Sequence, residues 1–224
     1  MESFDRFATD YDNLLSDPLR QKFARDDEFF IHQKCRVLMR HLRQRTTGRL
    51  RLLDAGCGHG TAIAFLSKDA RVIGTDVSLP MVREAVHHGP VAVQAPFDLP
   101  FADATFDAAF AFCVYHHIDD GQQARHLREL KRVVARGDHV YVFEHNPFNP
   151  VTKRIFDRAP IDHGCHMIEP ARLRALFREA GLDRVEQGYL LFLPETLWKW
   201  FGFLEPALAW IPLGGQYFVS GENT

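Results

Sequence analysis

Residues 51–60 read Arg-Leu-Leu-Asp-Ala-Gly-Cys-Gly-His-Gly, and this stretch decides the fold. Apolar residues lead into Asp54, and glycines follow at positions 56, 58 and 60. The pattern predicts a strand that ends in a tight turn and opens a helix, because glycine permits a sharp turn and lets a ligand approach the backbone without meeting a Cβ. Amides at the start of such a helix point towards that ligand.

The glycine spacing separates this loop from the dinucleotide-binding type, which has the pattern G-x-G-x-x-G. Here the third glycine comes one residue early, and Thr61 stands where glycine or alanine is expected. A carboxylate directly before the loop also disfavours a nearby pyrophosphate, because two anions would face each other. Asp54 suits a ligand that carries an ammonium group.

The arrangement D-x-G-x-G-x-G after an apolar strand resembles the first motif of class I methyltransferases that use S-adenosylmethionine. The resemblance implies that Asp54 lies near the methionine ammonium of this cofactor and that S-adenosylhomocysteine is the product. The residues that it places beneath the cofactor are Gly56, Cys57, Gly58 and Gly60. A turn that serves folding alone is the alternative.

Residues 71–76 predict a second strand that ends in Asp76, 20 residues after Gly56. A carboxylate at this strand end can accept hydrogen bonds from both ribose hydroxyls of a nucleotide. The next residues resemble the D-x-S-x-x-M of the same methyltransferases, which implies that Val77 lies beside the cofactor and Met81 lies against its adenine. An ordinary core position is the alternative for Met81.

The stretch 94–110 resembles the family's D-A-x-x-L-P-F…F-D segment. Together with the end of the fourth strand, it implies cofactor contacts from Ala95, Pro96, Phe97 and Phe112. The segment departs from the family where an adenine-binding Asp is usual, because this chain has Ala95 there. Asp98 could take that role from a neighbouring position, or backbone groups alone could hold the adenine.

Histidines and a carboxylate follow the fourth and fifth predicted strands. Open α/β sheets bind ligands at the carboxyl ends of their strands, so His116, His117 and Glu144 are placed where chemistry would occur. Either histidine could remove a proton from a hydroxyl or amine as a methyl group arrives, or could only shape the pocket. Glu144 could orient a substrate group or a histidine, and a plain surface loop is the alternative.

Residues 162–166 read Asp-His-Gly-Cys-His within a segment that contains several prolines. We expect no metal site from them, because His163, Cys165 and His166 are too close for a usual chelating pair and no fourth ligand is obvious. A loop that covers the substrate and contributes His163 is the preferred interpretation.

Residues 4–12, Phe-Asp-Arg-Phe-Ala-Thr-Asp-Tyr-Asp, resemble the opening of the ubiquinone and menaquinone methyltransferases. That resemblance implies a segment that folds over the cofactor, with Tyr11 as a lid residue. An N-terminal helix that only caps the sheet is the alternative.

The composition argues against several classes of partner. Lysine and arginine number 27 against 29 aspartates and glutamates, so no net field would attract nucleic acid. The four cysteines are scattered without a CxxC pair, which indicates neither a disulfide framework nor a zinc site. We find no apolar signal sequence and no apolar run long enough to span a bilayer, and we expect a cytoplasmic protein.

The segment 192–213 is rich in aromatic and aliphatic residues and is interrupted by prolines. Five apolar positions share one helical face, namely Leu197, Phe201, Leu204, Leu208 and Ile211. Its tryptophans lie partly off that face, so packing of the face alone would leave some apolar surface exposed. The segment could simply pack against the rest of the domain, cover an apolar substrate, form a homodimer surface or contact membrane lipid.

These patterns predict an α/β fold with a doubly wound, seven-stranded and mostly parallel sheet, an N-terminal helical lid and an apolar helical insert before the last strand. We expect one domain: a cap at 1–48, a cofactor-binding core at 49–145, and a substrate-side half at 146–224. The resemblance implies methyl transfer to a small, partly apolar acceptor such as a phenol, quinone precursor, natural product or lipid-linked group, with O-methylation preferred. A regulatory protein that only binds S-adenosylmethionine is the alternative.

Overall fold

A computed structural model describes Asp5, Leu14 and residues 17–26, 28–45 and 48–224. The strands are β1 Arg51–Ala55, β2 Arg71–Asp76, β3 Val91–Val93, β4 Phe106–Phe112, β5 Val134–His145, β6 Asp183–Leu190 and β7 Gln216–Glu222. The α-helices are α1 Pro18–Phe23, α2 Glu28–Arg43, α3 Thr61–Leu66, α4 Leu79–Ala85, α5 Asp120–Val133, α6 Pro150–Phe156, α7 Pro170–Glu179, α8 Glu195–Phe201 and α9 Glu205–Leu208. Short 3-10 turns cover Tyr115–His117, Pro160–Asp162 and Gly202–Leu204.

The seven strands form one sheet in the order β3-β2-β1-β4-β5-β7-β6. Strands β1 to β5 pair in parallel, whereas β7 runs antiparallel to both β5 and β6. The predicted seven-stranded, mostly parallel sheet is therefore confirmed. The switch in strand order between β1 and β4 opens a crevice at the carboxyl ends of these strands, where such sheets bind ligands.

Helices cover both faces of the sheet, so its central strands are buried on either side. Neighbouring strand residues point to opposite faces: Leu52 packs in the cluster that includes Leu38 of α2 and Ile63 of α3. Leu53 packs in the second cluster, with Leu127 of α5 and with α7. This alternation explains why β1 and β4 read as continuous apolar runs.

Two local predictions were wrong. The sequence Arg136-Gly137-Asp138 predicts a turn, but these residues lie inside β5 as a bulge. The strand partner of Phe106 is Val134, and that of Ala108 is already His139. Gly137 allows the bulge with a φ of +86°. The prolines between 147 and 167 predict a loop, yet α6 forms there because Asn149 caps it, accepting hydrogen bonds from two backbone amides.

The segment 192–213 is folded as two short helices, α8 and α9, that a 3-10 turn separates. The five apolar positions that were expected to share one helical face are thus divided between different elements. Trp198 packs edge-on against Phe29 of α2 with ring centroids 6.2 Å apart. Several large side chains remain exposed, among them Trp200, Phe203, Trp210 and Leu213.

Within the described part of the chain, no helix has the length and apolar character needed to cross a membrane.

Truncating Leu53 tests the second core cluster. Leu53 is fully buried, so Leu53→Ala removes apolar burial and leaves a cavity, and we expect a loss of about 2–5 kcal/mol in the free energy of unfolding. Urea unfolding followed by circular dichroism measures it. Leu213→Ala is the matched control, since this leucine is 63 % exposed, and its effect should stay within about 0.5 kcal/mol. Equal losses in both variants would contradict the assignment of the core.

Candidate active site

The loop after β1 is held against the ends of β2 and β4. The amides of Gly56 and Cys57 both donate to the carbonyl of Thr75, at 2.8 and 2.9 Å. Gly56 has a φ of +80°, and a Cβ there would lie 2.6 Å from a methyl group of Val114. Only glycine permits this backbone to pass so close to β4, as the sequence predicted.

Asp54 lies at the base of the loop and is 2 % exposed. Among the described residues, no group donates a hydrogen bond to its Oδ2. Burial, reinforced by the nearby charge of Asp76, raises the pKa of Asp54 to about 8. A buried carboxyl oxygen without a partner is costly, and a cationic ligand at this position would satisfy it.

Asp76 at the end of β2 organises the next wall. Its two oxygens accept hydrogen bonds from the amides of Gly58, at 3.0 Å, and Ser78, at 2.9 Å. Ser78 in turn caps α4 by accepting from the Met81 amide and donates its hydroxyl to Asp5 at 2.7 Å. The carboxylate is thereby fixed at the edge of a cavity, with lone pairs left for further donors.

A smaller cavity of about 110 Å³ opens between these groups and the end of β4. Its lining includes the predicted cofactor residues Gly56, Gly58, Asp76, Val77, Met81, Pro96 and Phe112. Gln94, which no sequence pattern singled out, also lines this smaller cavity. Gln94 is buried, and its Oε1 has no hydrogen-bond partner among the described residues. The signal in the sequence that could have indicated Gln94 was its position directly after β3.

The irregular segment after β3 does not bring Ala95 or Asp98 to this cavity. Ala95 is exposed and forms an isolated bridge with Asp98. The Asp98 carboxylate is exposed and pairs with Arg125 at 3.4 Å. Phe97 is half-buried, with its ring centroid 6.5 Å from that of His126. Gln94 is therefore the side chain from this segment with an open acceptor in the cavity.

A larger cavity of about 740 Å³ lies on the other side of the loop. Its apolar wall is formed by Phe30, Ile31, Ile155, Phe156 and Ile161 from α2, α6 and the turn that follows α6. It also reaches Asp54 and Cys57. The residues common to both cavities are Gly56, Gly58, Phe112, Cys113 and His117. The two spaces therefore meet at the carboxyl end of β4.

His116 is clamped between two carboxylates in the wall of the larger cavity. Its Nδ1 lies 2.6 Å from Glu144 Oε2, and its Nε2 lies 3.3 Å from Asp162 Oδ1. Burial alone would lower the pKa of His116, but Glu144 and Asp162 raise it well above its usual value. Glu144 is fully buried behind His116 and also accepts a hydrogen bond from the Tyr115 amide at 2.7 Å. Glu144 therefore positions the histidine, one of the two roles that the sequence suggested.

His117 faces the same carboxylate from the other side. Its Nε2 lies 3.5 Å from Asp162 Oδ1, and its Nδ1 lies 3.2 Å from Cys165 Sγ. Burial and the neighbouring charge of His116 lower the pKa of His117 to about 3. The segment 162–166 thus contributes Asp162 and Cys165 to the site, whereas His163 is exposed and lines neither cavity. We refer to His116, His117 and Asp162 as the polar corner.

Lys34 is a further group at the site, and the sequence did not single it out, because the apolar stripe of residues 31, 35, 38 and 42 predicts a core helix. The side chain is buried, and its Nζ donates to Cys113 Sγ at 3.4 Å. Gln216 Nε2 donates to the same sulfur, also at 3.4 Å. Burial would raise the pKa of the Cys113 thiol, but the Lys34 ammonium and His145 lower it to about 7. This group stands where the two cavities meet.

The remaining predicted positions lie outside the two linings. Gly60 is buried at the start of α3, where a φ of +82° favours glycine. Tyr11 lies outside the described residues. Three groups of the polar corner offer ligand atoms within 4.8 Å of one another. The expectation that residues 162–166 hold no metal stays a prediction.

Comparisons with known proteins find methyltransferases. The family model described as a methyltransferase domain matches residues 53–142. The chain is 38 % identical over 109 residues to the demethylmenaquinone methyltransferase of Corynebacterium kroppenstedtii, covering 47 % of each chain. It is 30 % identical over 154 residues to the O-methyltransferase resE of Aspergillus sclerotiorum, covering 60 % of this chain and 55 % of that one.

The fold extends over more of the chain than these sequence matches. A solved SAM-dependent methyltransferase from Thermotoga maritima, titled a possible histamine N-methyltransferase, superposes with a TM-score of 0.70 over 99 % of this chain and 98 % of that chain, at 18 % identity. The chain spans about half the length of the curated relatives named above. The matched domain, the strand order and the glycine loop between the two cavities together show a methyltransferase domain over residues 53–142 with the fold of class I S-adenosylmethionine-dependent methyltransferases.

Proposed function

We propose that this protein transfers a methyl group from S-adenosylmethionine to the hydroxyl of a small, partly apolar acceptor. The observation that carries the proposal is the meeting of the two cavities at Cys113 and His117. The smaller cavity has the polar groups that a nucleoside site needs. The larger cavity combines an apolar wall with the polar corner. An acceptor in the larger cavity can thus bring its polar end to the cofactor side.

The residues present fit the cofactor. Asp54 offers an unpartnered buried oxygen to an ammonium group, and Asp76 offers fixed carboxylate oxygens to ribose hydroxyls. Gln94 offers an unpartnered oxygen to an exocyclic amino group such as that of adenine. Bound S-adenosylmethionine would supply a methyl group on a positively charged sulfur, and this sulfur would leave as S-adenosylhomocysteine when an acceptor oxygen bonds to the methyl carbon. Holding an acceptor atom in line with that methyl group supplies much of the rate.

An oxygen acceptor is favoured by the chemistry of the polar corner. Its imidazole and carboxylate groups can orient a hydroxyl through hydrogen bonds, while Phe156 and Ile161 contact an apolar body. The name of resE, an O-methyltransferase, agrees with oxygen as the reacting atom. The name of the corynebacterial relative agrees with a quinone precursor as one acceptor class. A phenol that carries an apolar substituent combines both features.

The exposed aromatic residues of the segment 192–213 support a contact with membrane lipid or with a second copy of the chain. Trp200 and Trp210 are more than three-quarters exposed, and Phe203 lies between them in sequence. Such a surface is typical of interaction sites. A cytoplasmic location likewise stays a prediction.

Methyl transfer from labelled S-adenosylmethionine to a panel of phenols, carboxylic acids, amines and thiols tests the proposal. We expect transfer to apolar phenols, with the label recovered as a methyl ether by mass spectrometry. Ile161→Asn is expected to raise the KM for such a phenol by roughly tenfold, because it places an amide in the apolar wall. Binding of S-adenosylhomocysteine should not change in this variant. Methylation of amines alone would contradict the choice of oxygen, and bound cofactor without transfer to any class would contradict the activity.

Gln94→Ala tests the adenine contact. Loss of one hydrogen bond should weaken S-adenosylhomocysteine binding by about 3- to 10-fold, as measured by isothermal titration calorimetry. Asp98→Ala is the control, and we expect unchanged affinity because this carboxylate pairs with Arg125 at the surface. The opposite pattern, with only the Asp98 variant weakened, would return the role to Asp98.

The raised pKa of Asp54 predicts pH-dependent cofactor binding. With a pKa of about 8, the carboxyl group holds a proton at neutral pH in the ligand-free protein. A ligand ammonium favours the carboxylate form, so binding releases this proton and the affinity for S-adenosylhomocysteine falls as the pH is lowered. We expect a loss of up to about tenfold per pH unit between pH 7.5 and 6.

Calorimetry in buffers of different ionisation enthalpy measures the released proton directly. Asp54→Asn is isosteric and cannot titrate, so it should bind more weakly and lose the pH dependence. A full pH dependence in this variant would show that another group releases the proton.

A further inference from the structure

We infer that the polar corner is a binding site for a divalent transition-metal cation, with zinc as the cation that its geometry fits. The ligand atoms are His116 Nε2, His117 Nε2 and Asp162 Oδ1, which all lie within 4.8 Å of one another. The inference rests on the proposed function, because it identifies what in the larger cavity would bind the acceptor oxygen.

The two distances from Asp162 within the polar corner match those of a coordination shell. Nε2 of His116 and Nε2 of His117 lie 3.3 and 3.5 Å from the same oxygen of Asp162. Charge-assisted hydrogen bonds are shorter, at about 2.7–2.9 Å. A tetrahedral zinc site with bonds of about 2.0–2.1 Å has edges between ligand atoms of about 3.3–3.4 Å. The observed separations match those edges.

The outer atoms of both imidazoles are held as they are in metal sites. Nδ1 of His116 contacts Glu144 at 2.6 Å, and Nδ1 of His117 contacts Cys165 Sγ at 3.2 Å. Each contact turns the other ring nitrogen towards Asp162. A carboxylate on the far nitrogen of a histidine ligand fixes the ring and raises its basicity, and this is the usual arrangement around bound metal.

The charge of the corner also favours a cation. His116, even when it carries a proton, stands against the two carboxylates of Glu144 and Asp162, and all three are at least nine-tenths buried. A buried excess of negative charge is costly unless a cation compensates it. Two imidazoles and a carboxylate suit zinc, and three protein ligands leave a fourth position open.

That open position has a role in the reaction. All three ligand residues line the larger cavity, and His117 also lines the smaller one. A divalent cation there would bind the acceptor hydroxyl and lower its pKa, so that the proton leaves to solvent.

Metal titration of the full-length protein tests the site. The protein is stripped with a chelator and titrated with Co²⁺, a visible probe of tetrahedral coordination, and Zn²⁺ is then added as competitor. We expect one Co²⁺ per chain, the intense visible absorption of a tetrahedral site, and displacement by Zn²⁺. Asp162→Asn and His117→Gln should each weaken Co²⁺ binding by at least about 100-fold, and Glu144→Gln by about 10- to 100-fold.

His163→Gln is the matched control for His117→Gln. It makes the same substitution at an exposed histidine one residue from Asp162, and Co²⁺ affinity should not change. Circular dichroism and S-adenosylhomocysteine binding show that each variant is folded. Absence of stoichiometric binding by protein that binds S-adenosylhomocysteine would overturn the metal site, as would binding that persists in Asp162→Asn.

The same preparation separates this inference from the proposed function. Methyl transfer to the phenol should fall at least about tenfold in the chelator-treated protein and return with Zn²⁺. Full transfer without metal would overturn the role of the metal in the reaction and leave the proposed function standing. Stoichiometric metal binding without methyl transfer to any acceptor class would overturn the role of the metal in the reaction together with the proposed function.

Discussion

The close passage of the Gly56 backbone beneath Val114 is the constraint on which the site depends. It brings the loop after β1 into contact with the end of β4, and the two amides bound to Thr75 fasten the same loop to β2. Because the loop is thin, the smaller and the larger cavity meet beside it. A side chain at position 56 would separate them or displace β4.

Buried ionisable groups are the second feature that distinguishes the site. Asp54 is buried with an unpartnered oxygen at the base of the glycine loop, and His116 is buried between Glu144 and Asp162 in the wall of the larger cavity. Both arrangements are costly for a folded chain. They are tolerated where ligands complete them, which is the pattern expected of a binding site and not of a core.

The predicted elements succeeded where local chemistry decided the outcome. The glycine spacing gave the loop, the apolar run of β4 gave the central strand, and Asp76 was found from its position at a strand end. The predictions failed where a helix cap or a β-bulge determined the local structure. Asn149 starts a helix in a segment read as loop, and Gly137 bends β5 at a position read as a turn.

The sequence by itself determined the sheet, the glycine loop and the cofactor class, because spacing and apolar periodicity are local properties. It also singled out His116, His117 and Glu144 as candidates. Only the tertiary structure decided that Asp162 and not His163 joins the histidines, that Gln94 and not Asp98 lines the smaller cavity, and that Lys34 reaches Cys113. These are contacts between residues far apart in the chain or choices between neighbours, and they depend on the direction in which each side chain leaves a packed backbone.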